Sequence, residues 1–225
     1  MKKNLISFSI MLIVLGNAAI TYGELIPVEA TITADNHYAL YYGNQTGSSI
    51  TYVGRNEFGP YGSSGGYNWS KAETNNFEMT SGDYIYVAAW SDGQVAQGLI
   101  GQFVISSLGT TILTNTSDWE VFSTGIDKGE YSAAPTIAEL GSQINAASWS
   151  PISYYANHGS GPWGTISGIS SEADWIWGGS LIGGSDLGEY LIFRTQVAQT
   201  PVPGALLLGS MGLSLAGWLL RRITA

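Results

Sequence analysis

Between Ile26 and Val197 the apolar residues fall in short runs broken by Gly, Ser and Asn, a pattern that predicts an all-β domain with little helix. Candidate strands are His37 to Tyr42, Ile50 to Arg55, Asp83 to Trp90, Leu99 to Ser106, Trp119 to Ser123 and Glu189 to Val197. In DYIYVAAW the period of two puts Tyr84, Tyr86, Ala88 and Trp90 on one face and Ile85, Val87 and Ala89 on the other. Both faces are apolar, so this strand is expected at the centre of a sheet. EYLIFRTQV sets Leu191, Phe193 and Val197 against Tyr190, Arg194 and Gln196, which predicts a strand wetted on one side. One helix is expected from Pro135 to Ile144, with Ile137, Leu140 and Ile144 in one stripe and Pro135 in the first turn. The predicted fold class is therefore all-β, two stacked antiparallel sheets forming a β-sandwich.

Two glycine-rich stretches interrupt this pattern, Gly59 to Asn68 and Gly178 to Asp186, and both read as surface loops. The ends of the chain read differently. Lys2 and Lys3 precede an apolar run from Leu5 to Leu15 and small residues up to Gly23, the layout of a secretory signal peptide over residues 1–23. The alternative, an N-terminal membrane anchor, needs a longer run to cross about 30 Å of hydrocarbon. Residues 24–197 then form the sandwich domain, and the loss of charge after Ala198 marks a separate tail over 198–225.

Charge sharpens this division. All 17 acidic residues lie between Glu24 and Glu189, against four basic ones, Arg55, Lys71, Lys128 and Arg194, so the exported part carries −13. Nucleic acid is excluded as a partner on that ground. No cofactor is expected; calcium is the one ion such a surface could recruit, with Asp35 and Asn36 as speculative oxygen donors at the head of a strand, where an Asx turn is the other explanation. With no cysteine, an exported domain has no disulfide to hold it and must rely on packing.

The tail runs Pro201-Val202-Pro203-Gly204-Ala205, an apolar stretch to Leu220, then Arg221 and Arg222. As a transmembrane helix, Ala205 to Leu220 would span about 24 Å at roughly 1.5 Å per residue, slightly short of a bilayer core. The arginines would stay on the cytoplasmic side, leaving the acidic domain outside, in agreement with the signal peptide. The proline motif, the Leu/Gly-rich helix and the terminal arginines resemble a PEP-CTERM sorting signal of bacteria that export polysaccharide, with Val202 standing where the name-giving motif has glutamate. The resemblance implies an exosortase as partner, a precursor held in the inner membrane, and removal of the tail, much as a GPI tail is discarded. A permanent single-span anchor is the other reading of the same residues.

A looser resemblance covers the body. TADNHYALYYGN from Thr33, NWSKAETNNFEMTSGDYIYVAAW from Asn68, ADWIWGG from Ala173 and YLIFRTQV from Tyr190 are similar to galactose-binding-like jelly-roll modules. That resemblance implies sugar binding, calcium binding or a purely structural role.

Eight tryptophans and thirteen tyrosines suit sugar rings, but Trp90, Trp119, Trp175 and Trp177 lie in strand-like runs and are expected in the core. SYYANHGSGPWG reads as a loop, with Tyr154, Tyr155, Asn157, His158 and Trp163 as candidate glycan-binding residues. The competing explanation is a plain connection in which His158 bonds a neighbouring carbonyl. No nucleophile elbow, zinc-protease helix, P-loop or dinucleotide fingerprint is present, and there are two histidines. The sequence therefore points to a non-catalytic cell-surface or matrix protein that binds exopolysaccharide or serves as bulk structure. A secreted glycan hydrolase using two of the carboxylates is the alternative.

Overall fold

The computed structural model describes residues 24–56, 69–129, 132–183 and 189–198. The signal segment 1–23, the Gly59–Asn68 linker and the sorting residues Pro201 to Arg222 lie outside them. The strands are β1 (Leu25–Asp35), β2 (His37–Gly43), β3 (Ile50–Arg55), β4 (Glu73–Thr80), β5 (Tyr84–Trp90), β6 (Gly98–Ile105), β7 (Thr110–Leu113), β8 (Glu120–Asp127), β9 (Ser150–Pro151), β10 (Tyr154–Asn157), β11 (Asp174–Trp177) and β12 (Glu189–Gln196). One α-helix, α1, spans Ile137–Ala146.

Two antiparallel sheets result. The first has the order β10-β11-β6-β1-β4 with β7 also paired to β6, and the second has the order β3-β2-β5-β12-β8-β9. As its two apolar faces require, β5 is interior, flanked by β2 and β12. On β1, Ile26, Val28, Ala30, Ile32 and Ala34 alternate inward and meet Leu40, Ile85, Val87, Leu191 and Phe193 from the other sheet. Each such side chain contributes about 1.5–3 kcal/mol by leaving water. Trp119 and Trp177 join this layer, and Trp90 and Trp175 are equally buried on the outer faces, so all four tryptophans expected inside are inside.

β12 is not wetted on one side. Tyr190, Ile192 and Arg194 are buried on the face expected to be solvated. The reason lies in the chain from Ser132 to Trp149, which folds back over the outer face of the second sheet. Leu140 and Ile144 of α1 form a second apolar cluster with Tyr41, Tyr86, Trp90, Tyr190 and Ile192. Ile137, expected in the same stripe, is exposed. Arg194 keeps its charge there because Nε donates to Glu120 Oε2 at 2.7 Å and its guanidinium lies 3.9 Å from the centre of the Trp149 ring. The first sheet is covered in the same way: Trp163, Ile166, Ile169 and Ala173 pack with Ile100 and Trp175 on its outer side. Part of the Gly178–Asp186 loop is tied down as well, Ala96 pairing with Ile182 and Gln97 N donating to Leu181 O at 3.0 Å.

Both ends of the domain emerge at one pole. Ser81 N donates to Glu24 O at 2.9 Å and Val197 N donates to Asp83 O at 3.0 Å, so the β4–β5 turn holds the first and last strands side by side. Among the described residues no helix is long and apolar enough to cross a membrane.

Helix α1 starts where its sequence says it must. Thr136 Oγ1 accepts from Glu139 N at 3.2 Å and Glu139 Oε2 accepts from Thr136 N at 2.7 Å, a reciprocal capping box. Pro135 therefore precedes the cap rather than occupying the first turn, and its carbonyl accepts from Tyr41 Oη at 2.5 Å. Thr136→Ala is expected to cost about 1 kcal/mol of unfolding free energy, read as a lower urea midpoint at unchanged slope.

Candidate functional site

At the pole opposite Glu24 and Val197, β1 stops at Asp35, β2 starts at His37, β5 stops at Trp90 and β6 starts at Gly98. A cleft of about 290 Å³ opens there, lined by Asp35, Asn36, Trp69, Asp92, Gln94, Val95, Ala96, Pro162 and Trp163. It joins two sets of residues that the sequence left apart, the speculative calcium donors Asp35 and Asn36 and the aromatic candidate Trp163. Asp92 and Trp69 complete it and were not singled out; nothing in their local sequence marks them, since only the strand pairing brings Asp92 beside Asn36.

Asp35 is the central group. It is 8 % exposed, and its Oδ2 accepts from Trp163 Nε1 at 2.7 Å. Burial raises its pKa to about 6, the Trp163 hydrogen bond opposes that rise, and the charge of Asp92 adds to it. Asp35 and Asn36 are joined by a cis peptide bond. Asn36 Oδ1 accepts from Asp92 N at 2.8 Å, while Asn56 Nδ2 donates to the Asn36 carbonyl at 2.9 Å. Asp92 in turn caps its own turn, Oδ1 accepting from Gln94 N at 2.9 Å. Two of the oxygens that a cation would use are thus already engaged, and among the described residues no three His, Asp or Glu side chains converge.

Trp163 is not an open platform for a sugar. It is 4 % exposed and stacks on Trp175 with centroids 4.4 Å apart. Gly98 allows that stack: a Cβ there would sit 2.8 Å from Trp175 Cε3 and 3.3 Å from Trp163 Cζ2. The indole N–H orients Asp35 instead.

The rest of the expected glycan loop is divided. Its first part is a strand, β10, on the rim of the first sheet, where Tyr154 and Tyr155 are 48 % and 55 % exposed and do not line the cleft. Asn157 ends that strand, its carbonyl accepting from Ser160 N at 3.0 Å. His158 has both ring nitrogens occupied: Nδ1 lies 2.8 Å from Ser170 O and Nε2 accepts from Ile166 N at 2.7 Å. Because a backbone amide can only donate, Nε2 is the acceptor and the proton sits on Nδ1. This is the connecting role weighed above, and it leaves the imidazole nothing to offer a ligand.

No family model, curated protein or solved structure matches this chain. The reading of the cleft therefore rests on its own geometry.

That geometry predicts an unusual balance of pH effects. Asp35 holds its proton up to about 6 against an unfolded value near 3.8, so unfolding is favoured progressively as pH rises through that window, by about 3 kcal/mol in all. His37, buried against Trp90 with ring centroids 5.2 Å apart, has its pKa lowered to about 4 from 6.5 by burial and by the charge of Arg55. Its contribution has the opposite sign: stability is lost as pH falls from 6.5 towards 4. The two slopes nearly cancel between pH 4 and 6. Asp35→Asn is expected to expose the histidine term, so that unfolding free energy climbs with pH across this window, whereas His37→Gln is expected to make it fall. Urea titrations of the wild type and both variants at pH 4, 5 and 6 measure this; parallel curves in all three would contradict it.

Proposed function

We propose that the protein is an exported, non-catalytic component of the bacterial cell surface or extracellular matrix, sorted by a PEP-CTERM signal and binding polysaccharide through its β domain. What carries this reading is the tail: Pro201-Val202-Pro203-Gly204-Ala205, an apolar run just too short for comfortable residence in a bilayer, and Arg221-Arg222. An exosortase is the partner that would read the proline motif, with the precursor held in the inner membrane until the tail is removed. The prolines have a physical part in this, because they keep the approach extended and stop a helix from running back into the domain. The two antiparallel sheets agree with a galactose-binding-like jelly roll as the exported body. The charge of that body, −13, favours solubility in a hydrated matrix.

One observation favours the glycan-hydrolase alternative. Asp35, its pKa raised to about 6 by burial, shares a cleft with a second carboxylate, Asp92, and glycoside hydrolysis uses two carboxyl groups in one site. Release of reducing ends from the host's own exopolysaccharide, lost in Asp35→Asn, would establish that alternative over the binding role.

Intact mass of the protein recovered from its native host tests the principal reading. The expected species lacks the leader up to about Gly23 and everything beyond the Pro201 region. Deleting 201–225 is expected to abolish retention at the envelope and shift the protein into the medium. Full-length mass in the cytosolic fraction would refute the proposal.

A further inference from the structure

The cleft between Asp35 and Trp163 is too small for an extended chain, and it sets a few polar side chains in a mostly apolar wall, the make-up of a small-molecule site. Its volume of about 290 Å³ stands at the lower edge of the range of small-molecule sites, roughly 300–1,000 Å³. That is room for one ring. Its lining includes two carboxylates, the amides of Asn36 and Gln94, and the apolar surfaces of Trp69, Val95 and Pro162; none of the lining residues is basic.

Asp35 is where the site declares itself. The side chain is more than nine-tenths buried, Trp163 Nε1 supplies a donor to Oδ2, and no donor from the described residues reaches Oδ1. Asp35 lines the cleft, and Oδ1 is the carboxyl oxygen that Trp163 does not engage. The ligand that fits must bring hydrogen-bond donors, carry no negative charge, and offer an apolar face to Trp69 and Val95. Val95 is among the most exposed large apolar residues of the domain, at 72 %. An aromatic ring partly in contact with solvent beside it gives the wall on which C–H groups pack.

We infer that this cleft binds a single non-anionic sugar residue of a polysaccharide, neutral or amino-bearing, whose hydroxyl or ammonium donors satisfy Asp35 and Asp92 while its ring face rests on Trp69. The inference deepens the polysaccharide-binding reading above and rests on it, and it adds an orientation. The strand β1 runs from the pole that holds Glu24 and Val197 to Asp35, roughly 30 Å at about 3.3 Å per residue. The cleft therefore lies at the end of the domain opposite Glu24 and Val197.

Calorimetric titration of the full chain in detergent tests this with three probes: neutral hexose oligosaccharides, glucosamine oligosaccharides and oligouronates. Saturable heat at millimolar sugar is expected for one or both of the first two, and none for the oligouronates. Asp35→Asn keeps an acceptor for Trp163 and removes the charge, and is expected to weaken binding at least about tenfold. Should that variant fold poorly, Asp92→Asn and Trp69→Ala act from the cleft rim and are expected to weaken binding by a similar factor with an unchanged circular dichroism spectrum. Oligouronates binding as well as neutral sugars, wild-type affinity in both aspartate variants, or heat from calcium with none from any sugar would each overturn the inference. Binding by a chain that in its host keeps both its ends would uphold the cleft while refuting the sorting proposal, so the two fail separately.

Discussion

Everything in this domain follows from having to bury two faces of each sheet without a covalent staple. There is no cysteine, so the stability of the domain comes from packing alone. Strand β5 is apolar on both sides, and β12 is nearly so. One side of each is used against the opposing sheet. The other side must be covered by something, or it would present an apolar patch to water. Two segments between strands meet that need, α1 with its flanks over the second sheet and residues 158–173 over the first. The result has more layers than a plain sandwich: a covering loop, a sheet, the shared core, a second sheet and a helix.

The candidate site is a consequence of that covering. Residues 158–173 lie over the first sheet chiefly to bury Ile166, Ile169 and Trp163, and in doing so they lay the Trp163 indole beside the end of β1. The stack with Trp175 fixes the ring, and the fixed ring fixes the carboxyl. Asp35 is thereby held in a setting where its charge is disfavoured, yet one edge of it still faces the cleft. A side chain placed by packing, and only then available for chemistry, is a common route by which a scaffold acquires a binding group.

How much of this was legible in the chain depends on which force decided each element. β2, β3, β5, β6, β8 and β12 were readable because runs such as DYIYVAAW and EYLIFRTQV state their period directly. β1 was not singled out although Ile26, Val28, Ala30, Ile32 and Ala34 alternate without fault, because Pro27 and the acidic Glu29 disguise it as a linker. β4, ETNNFEMT, has poor strand propensity; it is a strand because β1 supplies eight partners in register, and its charges suit an edge that must not pair further. The burial of Tyr190 and Arg194 could not be read from β12 at all, since it depends on where α1 lands. At the site the pattern repeats. Asp35, Asn36 and Trp163 were each noticed for their type, but their juxtaposition is a tertiary fact spanning 128 residues of sequence between Asp35 and Trp163. Asp92 and Trp69 carry no local mark.

The separation of the two poles bears on how a tethered and a free form would compare. In the proposed tethered form a body with a charge of −13 would be repelled by anionic headgroups, and that repulsion would fall off with a Debye length of about 8 Å at physiological salt. The cleft lies roughly 30 Å along β1 from the end that carries Glu24 and Val197, a distance of several screening lengths. A charge brought up to the Glu24 and Val197 end would therefore be screened before it reached Asp35. The protonation of that carboxyl is set by its own burial, by Trp163 and by Asp92, all within the domain. Removal of the tail would alter where the domain travels and leave the chemistry of its far end as it was.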